Sequence, residues 1–419
     1  MRILRIDSWD GRSGGAQEYV RTVSDRLARL GHPQRLLQVV SEPRPGARDD
    51  ERVVELPARG LRRRAEDLVA APEFERRLAA ELRDFRPDLI HLHHFDAVFG
   101  PMARGLERAG VPLVFTAHDT ELVCPISTLL RPGNVVCDGG VRMRCLFTGC
   151  HVGLGGPYNL WQASVFGRQV QPKVRAFLCP SLRLTRYLYD NGFRPAIHLP
   201  PFVELPPDVP SAAYPMPPAD PPTVGYLGRL ESYKGVQVLL AALRELAGRW
   251  PDVRLDVAGE GPYRPRLERL AHDLGIDARV RFLGDVRGAA KEEFFRGIHL
   301  LAVPSVAWEN FGFVAVEGLA RGRPVVATDF GGLPDIVQDH ESGRLVPVAD
   351  ATALSAALSD VLSDLGRARA WGLEGRRRVL EAFTPERHVA ALVEVYEAVV
   401  RGEPLASRPA AGPGPTGTG

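Results

Sequence analysis

The strongest constraint on this chain is a rhythm of short apolar strands and amphipathic helices that runs twice and is interrupted once by proline. The interruption is LPPFVELPPDVPSAAYPMPPADPP, residues 199–222. Proline lacks a backbone N–H and clashes inside a helix, so this segment reads as an extended linker. Before it, strands are predicted at Ile3–Ile6, Arg35–Val40, Val53–Leu56, Leu89–Leu92, Leu113–Thr116, Ala176–Leu178 and Ile197–Leu199, with helices such as Glu73–Phe85 and Leu182–Asn191 between them. After it the rhythm restarts at Thr223–Leu227 and continues through strands at Arg254–Ala258, Val280–Leu283, Ile298–Val303 and Pro324–Thr328. Strands that alternate with helices imply a mostly parallel sheet covered on both faces.

The predicted fold class is therefore α/β: two Rossmann-like domains facing a central cleft. The first spans 1–199 and carries an insertion at 119–158. Residues 200–222 form the linker and 223–384 the second domain. Thr384-Pro385-Glu386 reads as a helix cap with proline at the first helical position. It opens a last helix, 385–404, expected to return to the first domain. The tail 405–419 is disordered by composition.

Length and composition exclude several classes. The chain has 419 residues, too many for one ordinary core. A net charge of +2 argues against a nucleic-acid binder. The opening MRILRIDSWDG carries Asp7 inside its apolar run and lacks a signal-peptide core, which places the protein in the cytoplasm. Of 53 basic side chains only Lys173, Lys234 and Lys291 are lysine. Lysine at 234 then suggests that a compact ammonium is wanted there rather than a planar fork.

The chemistry concentrates in Pro304–Asp335, PSVAWENFGFVAVEGLARGRPVVATDFGGLPD. Glu317 sits among Phe313, Val314, Ala315, Val316, Gly318, Leu319 and Ala320, and should be buried. No Lys or Arg stands one turn away to pair with it except Arg321, which follows the apolar run. Glu309 precedes Asn310-Phe311-Gly312, where strand gives way to helix. Two glutamates so spaced present acceptors to sugar hydroxyls, and the helix start between them suits a diphosphate. Arg229 and Lys234, after the first strand of the second domain, would neutralise that diphosphate. Gly14-Gly15 falls in the first strand–helix loop and permits close backbone approach to a phosphate. Gly259-Glu260-Gly261 imitates a dinucleotide fingerprint but ends on Arg264.

Taken together, G-R-x4-K-G, A-G-E-G-P, F-L-G and P-S-x3-E-N-F-G-F-V-x-V-E-G-L-A-R-G-x-P-V-V-A-T-x-x-G-G-L-P-D resemble the donor domain of the retaining glycosyltransferases of family 4, which have the GT-B architecture. The likeness covers roughly residues 1–400 and is most specific in 225–340. It implies that Arg229 and Lys234 hold the donor diphosphate, and that backbone amides of Phe311, Gly312, Phe313 and Val314 complete its seat. Glu309 would contact the donor sugar, Glu317 the ribose, and His118 (in TAHD) the sugar from the first domain. Catalytic roles fall to Glu309, Arg229, Lys234 and His118. Asn310 and Gly318 depart from the commoner Gly and Ala without removing a functional group.

The implied function is transfer of a sugar from a nucleotide-sugar donor to a hydroxyl acceptor (glycan, lipid-linked or small molecule), with retention at the anomeric carbon and no catalytic cofactor. The rivals are a sugar-nucleotide epimerase of the same architecture and a non-catalytic binding protein. His91, His93 and His94 crowd one strand end, where His93 or His94 could line the acceptor side. Cys124, Cys137, Cys145 and Cys150 lie in the insertion. Buried or cleft-lining thiols are the favoured reading and a structural zinc the alternative. Arg62 to Arg64, ahead of an amphipathic helix, could touch the inner face of a membrane, although a solvated face is preferred.

Overall fold

The computed structural model describes residues 1–9, 15–40, 51–55, 72–93, 99–124, 128–131, 135–137, 145, 147, 166–204 and 213–406. The chain divides into two compact units, Met1–Pro201 with Glu386–Gly419, and Phe202–Pro385.

In the first unit, β1 (Ile3–Trp9), β2 (Gln34–Val40), β3 (Glu51–Glu55), β4 (Leu89–Leu92) and β5 (Leu113–Thr116) come first. A short antiparallel hairpin follows, β6 (Leu130–Arg131) with β7 (Val135–Val136), and then β8 (Val174–Cys179) and β9 (Ala196–His198). Seven of these form one parallel sheet in the order β3-β2-β1-β4-β5-β8-β9. All four residues of β4 and of β5 are buried, as a strand covered on both faces requires. The last helix, Pro385–Arg401, buries His388, Val389, Leu392, Val395, Tyr396 and Val399 at helical spacing and packs on this first unit.

The second unit holds β10 (Thr223–Leu227), β11 (Arg254–Ala258), β12 (Val280–Gly284), β13 (Leu300–Val303), β14 (Val325–Thr328) and β15 (Gly343–Val346). They pair in parallel in the order β12-β11-β10-β13-β14-β15. Helix Val236–Leu246 covers this sheet with Val236, Leu239, Leu240, Leu243 and Leu246, all buried. Each such side chain contributes about 2 kcal/mol of burial. The strand order reverses between β10 and β13, and α/β sheets bind ligands at such switch points.

The described part of the proline segment forms no helix or strand, and it is fastened to the second unit. Arg323, fully buried, donates from Nε to Phe295 O at 2.7 Å and from Nη2 to Pro215 O at 2.8 Å. His299 Nε2 donates to Pro218 O at 2.9 Å. Residues 213–222 are thus an integral edge of that unit.

Candidate active site

The site in the second unit is built from loops at the carboxyl ends of its strands. Gly235, at φ +77°, closes the turn after β10, and a Cβ there would run into the Pro304 carbonyl oxygen. Glycine therefore lets this loop lie against the loop after β13. Val306 N and Ala307 N both donate to Tyr233 O, at 2.9 and 3.1 Å. This seam brings Lys234 to Glu309: Nζ to Oε1 is 2.5 Å. Ser305 Oγ donates to the same oxygen at 2.6 Å. Among the described residues Oε2 of Glu309 has no hydrogen bond.

The next loop fixes the Glu309 backbone. Gly331 has φ +61° and lies so close to Glu309 that no Cβ fits, and Gly332 N donates to Glu309 O at 2.6 Å. The T-x-x-G-G stretch at the end of β14 is thereby explained as a seat for the Glu309 backbone. Tyr226 OH donates to Arg229 O at 2.9 Å. Burial pushes the Tyr226 phenol well up and the nearby Glu309 charge adds to this, so it stays a neutral donor. Arg229 itself is more than half exposed, and its Nη2 meets Glu231 at 2.9 Å rather than the Lys234–Glu309 pair. Gly259-Glu260-Gly261 packs against the Arg229 loop, with Gly228 N donating to Ala258 O and Leu230 N to Glu260 O. That motif shapes a loop.

Glu317 departs from expectation. It is half-buried, and it has a cationic partner: Lys291 Nζ stands 2.5 Å from its Oε2. The reason lies in packing between helices Ala289–Gly297 and Phe313–Ala320, invisible to a one-helix reading. Arg321, the neighbour on its own helix, is taken up elsewhere. It grips the buried Glu292 through Nε and Nη2 at 2.8 and 2.6 Å, and Tyr214 OH joins at 2.8 Å. Burial pushes the Glu292 carboxyl up, but the Arg321 and Tyr214 hydrogen bonds overcome this and hold it below its ordinary value. Lys291 was missed as a site residue. Its signal was the scarcity of lysine, since two of the three lysines pair with the two site glutamates.

Phe311, Gly312, Phe313 and Val314 lead into the helix Phe313–Ala320. Gly312 at φ +106° starts it, and the Phe311 ring packs edge-on to Phe313 and Phe383 in the core. The N–H groups of Ala315 and Val316 return to Gly312 O. Amides one turn earlier are the orphan donors of a helix start.

In the first unit, His118 follows β5 and is half-buried. Its Nε2 lies 2.9 Å from Nδ1 of the fully buried His93, and the two rings stack. Beneath them His91 is held by Tyr396 OH at Nδ1, 2.5 Å, and by Thr116 Oγ1 at Nε2, 2.7 Å. Burial, with Arg5 nearby, keeps His91 far below its ordinary pKa. Gly15 begins the helix Gly15–Arg29. Gly14, His94, Cys150 and Arg62 to Arg64 lie outside the described residues. Cys124 and Cys145 are buried and Cys137 is half-buried. Among the described residues no three His, Cys, Asp or Glu side chains group as a metal site, and no helix is long and apolar enough to cross a membrane.

Comparison with known proteins identifies the family. Residues 215–378 match the model of the glycosyl transferases group 1, and residues 13–205 that of glycosyltransferase family 4. A D-inositol 3-phosphate glycosyltransferase of Xylanimonas cellulosilytica is 31% identical over 424 residues, 94% of this chain and 94% of that one. The chain belongs to glycosyltransferase family 4. A phosphatidyl-myo-inositol mannosyltransferase of Mycolicibacterium smegmatis is 42% identical over 143 residues, 34% of this chain and 36% of the relative. Matches to five such curated relatives span between 35% and 63% of their lengths. Among solved structures, sucrose-phosphate synthase from Thermosynechococcus elongatus superposes with a TM-score of 0.70 at 22% identity, over 96% of this chain and 100% of that one. Anabaena HepE in complex with UDP and glucose gives 0.68 at 19%, over 95% and 100%. At these identities the likeness concerns the fold, which is GT-B.

Proposed function

We propose that this glycosyltransferase moves a sugar from a nucleotide-sugar donor to a hydroxyl acceptor with retention of anomeric configuration. The observation that carries the reading is the pair of lysine–glutamate contacts beside the switch point between β10 and β13. A diphosphate placed there meets Lys234, Arg229 and the orphan amides of Phe311 to Val314. Glu309 orients the sugar and balances positive charge developing at its ring. Glu317 accepts from the ribose hydroxyls, with Lys291 beside it. His118 is assigned to the transferred sugar, and Gly14-Gly15 to close approach by a donor phosphate.

Departure of the nucleoside diphosphate then relies on fixed cations and amides. A leaving phosphate oxygen takes the acceptor proton as the acceptor attacks on the same face. Relatives bearing the names GDP-mannose-dependent mannosyltransferase and D-inositol 3-phosphate glycosyltransferase direct the choice of probes to GDP-mannose, UDP sugars and inositol-bearing acceptors. The test is nucleoside diphosphate release from a donor panel with and without these acceptors, followed by NMR of the product anomer. An epimerised nucleotide sugar formed without acceptor, or no turnover of any donor, would overturn the assignment in favour of an epimerase or a binding protein.

A further inference from the structure

The first unit carries a chain of buried hydrogen bonds whose directions can be worked out. Arg5 Nη2 lies 3.5 Å from His91 Nδ1 and can only donate, so Nδ1 is an acceptor and Tyr396 OH donates to it. His91 Nε2–H therefore donates to Thr116 Oγ1. Thr116 also acts on the Tyr19 hydroxyl, whose pKa burial raises and Thr116 pulls back. Tyr19 OH meets His388 Nε2 at 2.8 Å, and His388 Nδ1 must donate to the Pro200 carbonyl at 2.7 Å. The last helix supplies both ends of this chain. His93 lies on it, its ring 4.0 Å from that of His91, and Tyr19 packs edge-on to His118 at 5.3 Å.

We propose that His93 is a positioning residue for His118: its Nδ1, 2.9 Å from His118 Nε2, fixes the tautomer and ring plane with which His118 meets the sugar. This rests on the assignment of His118 above. Only one of the two facing nitrogens can carry the shared hydrogen, so the contact ties the tautomer of His118 to that of His93. Second partners of this kind orient a functional imidazole and, when removed, leave it present but misaimed.

The experiment compares His93→Leu, His93→Asn and His93→Gln with His118→Ala, assayed on whichever of GDP-mannose or UDP-glucose the wild type turns over. Asparagine carries its amide at the place of Nδ1, whereas glutamine carries it one bond further out, at the place of Nε2. Leu and Gln are expected to lower kcat by about ten- to a hundredfold at unchanged donor KM, and Asn to recover to within about threefold of wild type. Gln keeps the test open if the Leu variant does not fold. Wild-type kcat in folded Leu or Gln variants, with activity lost in His118→Ala, overturns the positioning role and leaves the His118 assignment standing. Equal losses in Leu, Gln and Asn overturn it as well. Wild-type kcat in His118→Ala sinks both.

Discussion

Lys234 and Glu309 are 75 positions apart in sequence and meet at 2.5 Å, because the strands that precede them are neighbours at the point where the sheet changes direction. The contact makes a cation and a carboxylate into one preorganised unit. Replacing Lys234 by Ala should lower kcat by roughly 10²–10³, as for loss of one preorganised donor to a departing anion. Lys234→Arg should recover only part of this, since a planar fork does not fill the place of an ammonium. Steady-state kinetics on the best donor checks both. Full activity in the Arg variant would reduce position 234 to a bulk charge.

The buried Arg321–Glu292 pair is a stability element beside the site. Both side chains are almost wholly enclosed, so Arg321→Leu strands a carboxylate and should cost about 3–5 kcal/mol. Replacing both by apolar residues of similar size should restore much of that. Urea titrations of the single and double variants measure the difference. A double variant no better than the single would show that the pair is not acting through its charge.

Stability should fall in acid through the buried histidines of the first unit. Burial depresses His388 to about 4 and His91 in the same direction. Below their ordinary value the unfolded chain takes protons that the folded chain refuses, so the stability present above pH 6.5 is lost as pH drops toward 4. Each group contributes at most about 1.4 kcal/mol per pH unit. Melting temperatures measured between about pH 7.5 and 5 should decline, less steeply in His388→Gln. A midpoint that rises on acidification would contradict the neutral assignments.

On the proposed reading, in which Arg229 and Lys234 take the place of a divalent ion on the diphosphate, turnover should persist in excess EDTA. Rapid inhibition reversed by magnesium or manganese would undermine the roles of Arg229 and Lys234. Elemental analysis of the same preparation addresses the cysteine insertion. About one zinc per chain, lost on mutating Cys145, would favour the structural-metal alternative.

Much of the architecture was legible because βα rhythm is local. Leu89–Leu92, Leu113–Thr116, Thr223–Leu227 and Arg254–Ala258 occupy the predicted strands exactly as bounded, and Pro385 opens the last helix. β15 escaped notice: four residues beginning Gly343-Arg344 carry too little apolar pattern to announce a strand. Glu309 and Lys234 could be named from spacing, but their contact depends on Gly235 letting two distant loops touch. Lys291 reaches Glu317 from a neighbouring helix, and neither residue's own helix predicts that. The His93–His118 contact, 25 positions apart, follows from β4 and β5 being neighbours in the sheet, and the His91–Tyr396 contact, 305 apart, from the last helix packing on this unit.

On the proposed function, the second unit binds the nucleotide of a sugar donor through the Lys–Glu pairs at its switch point. Calorimetric titration of the wild type and Glu317→Ala with UDP, GDP and ADP tests it directly. One of these diphosphates should bind the wild type, and Glu317→Ala should weaken that binding about tenfold or more, the cost of losing charged acceptors for hydroxyls. Unchanged affinity in Glu317→Ala, or no binding of any of the three to folded wild type, would contradict it.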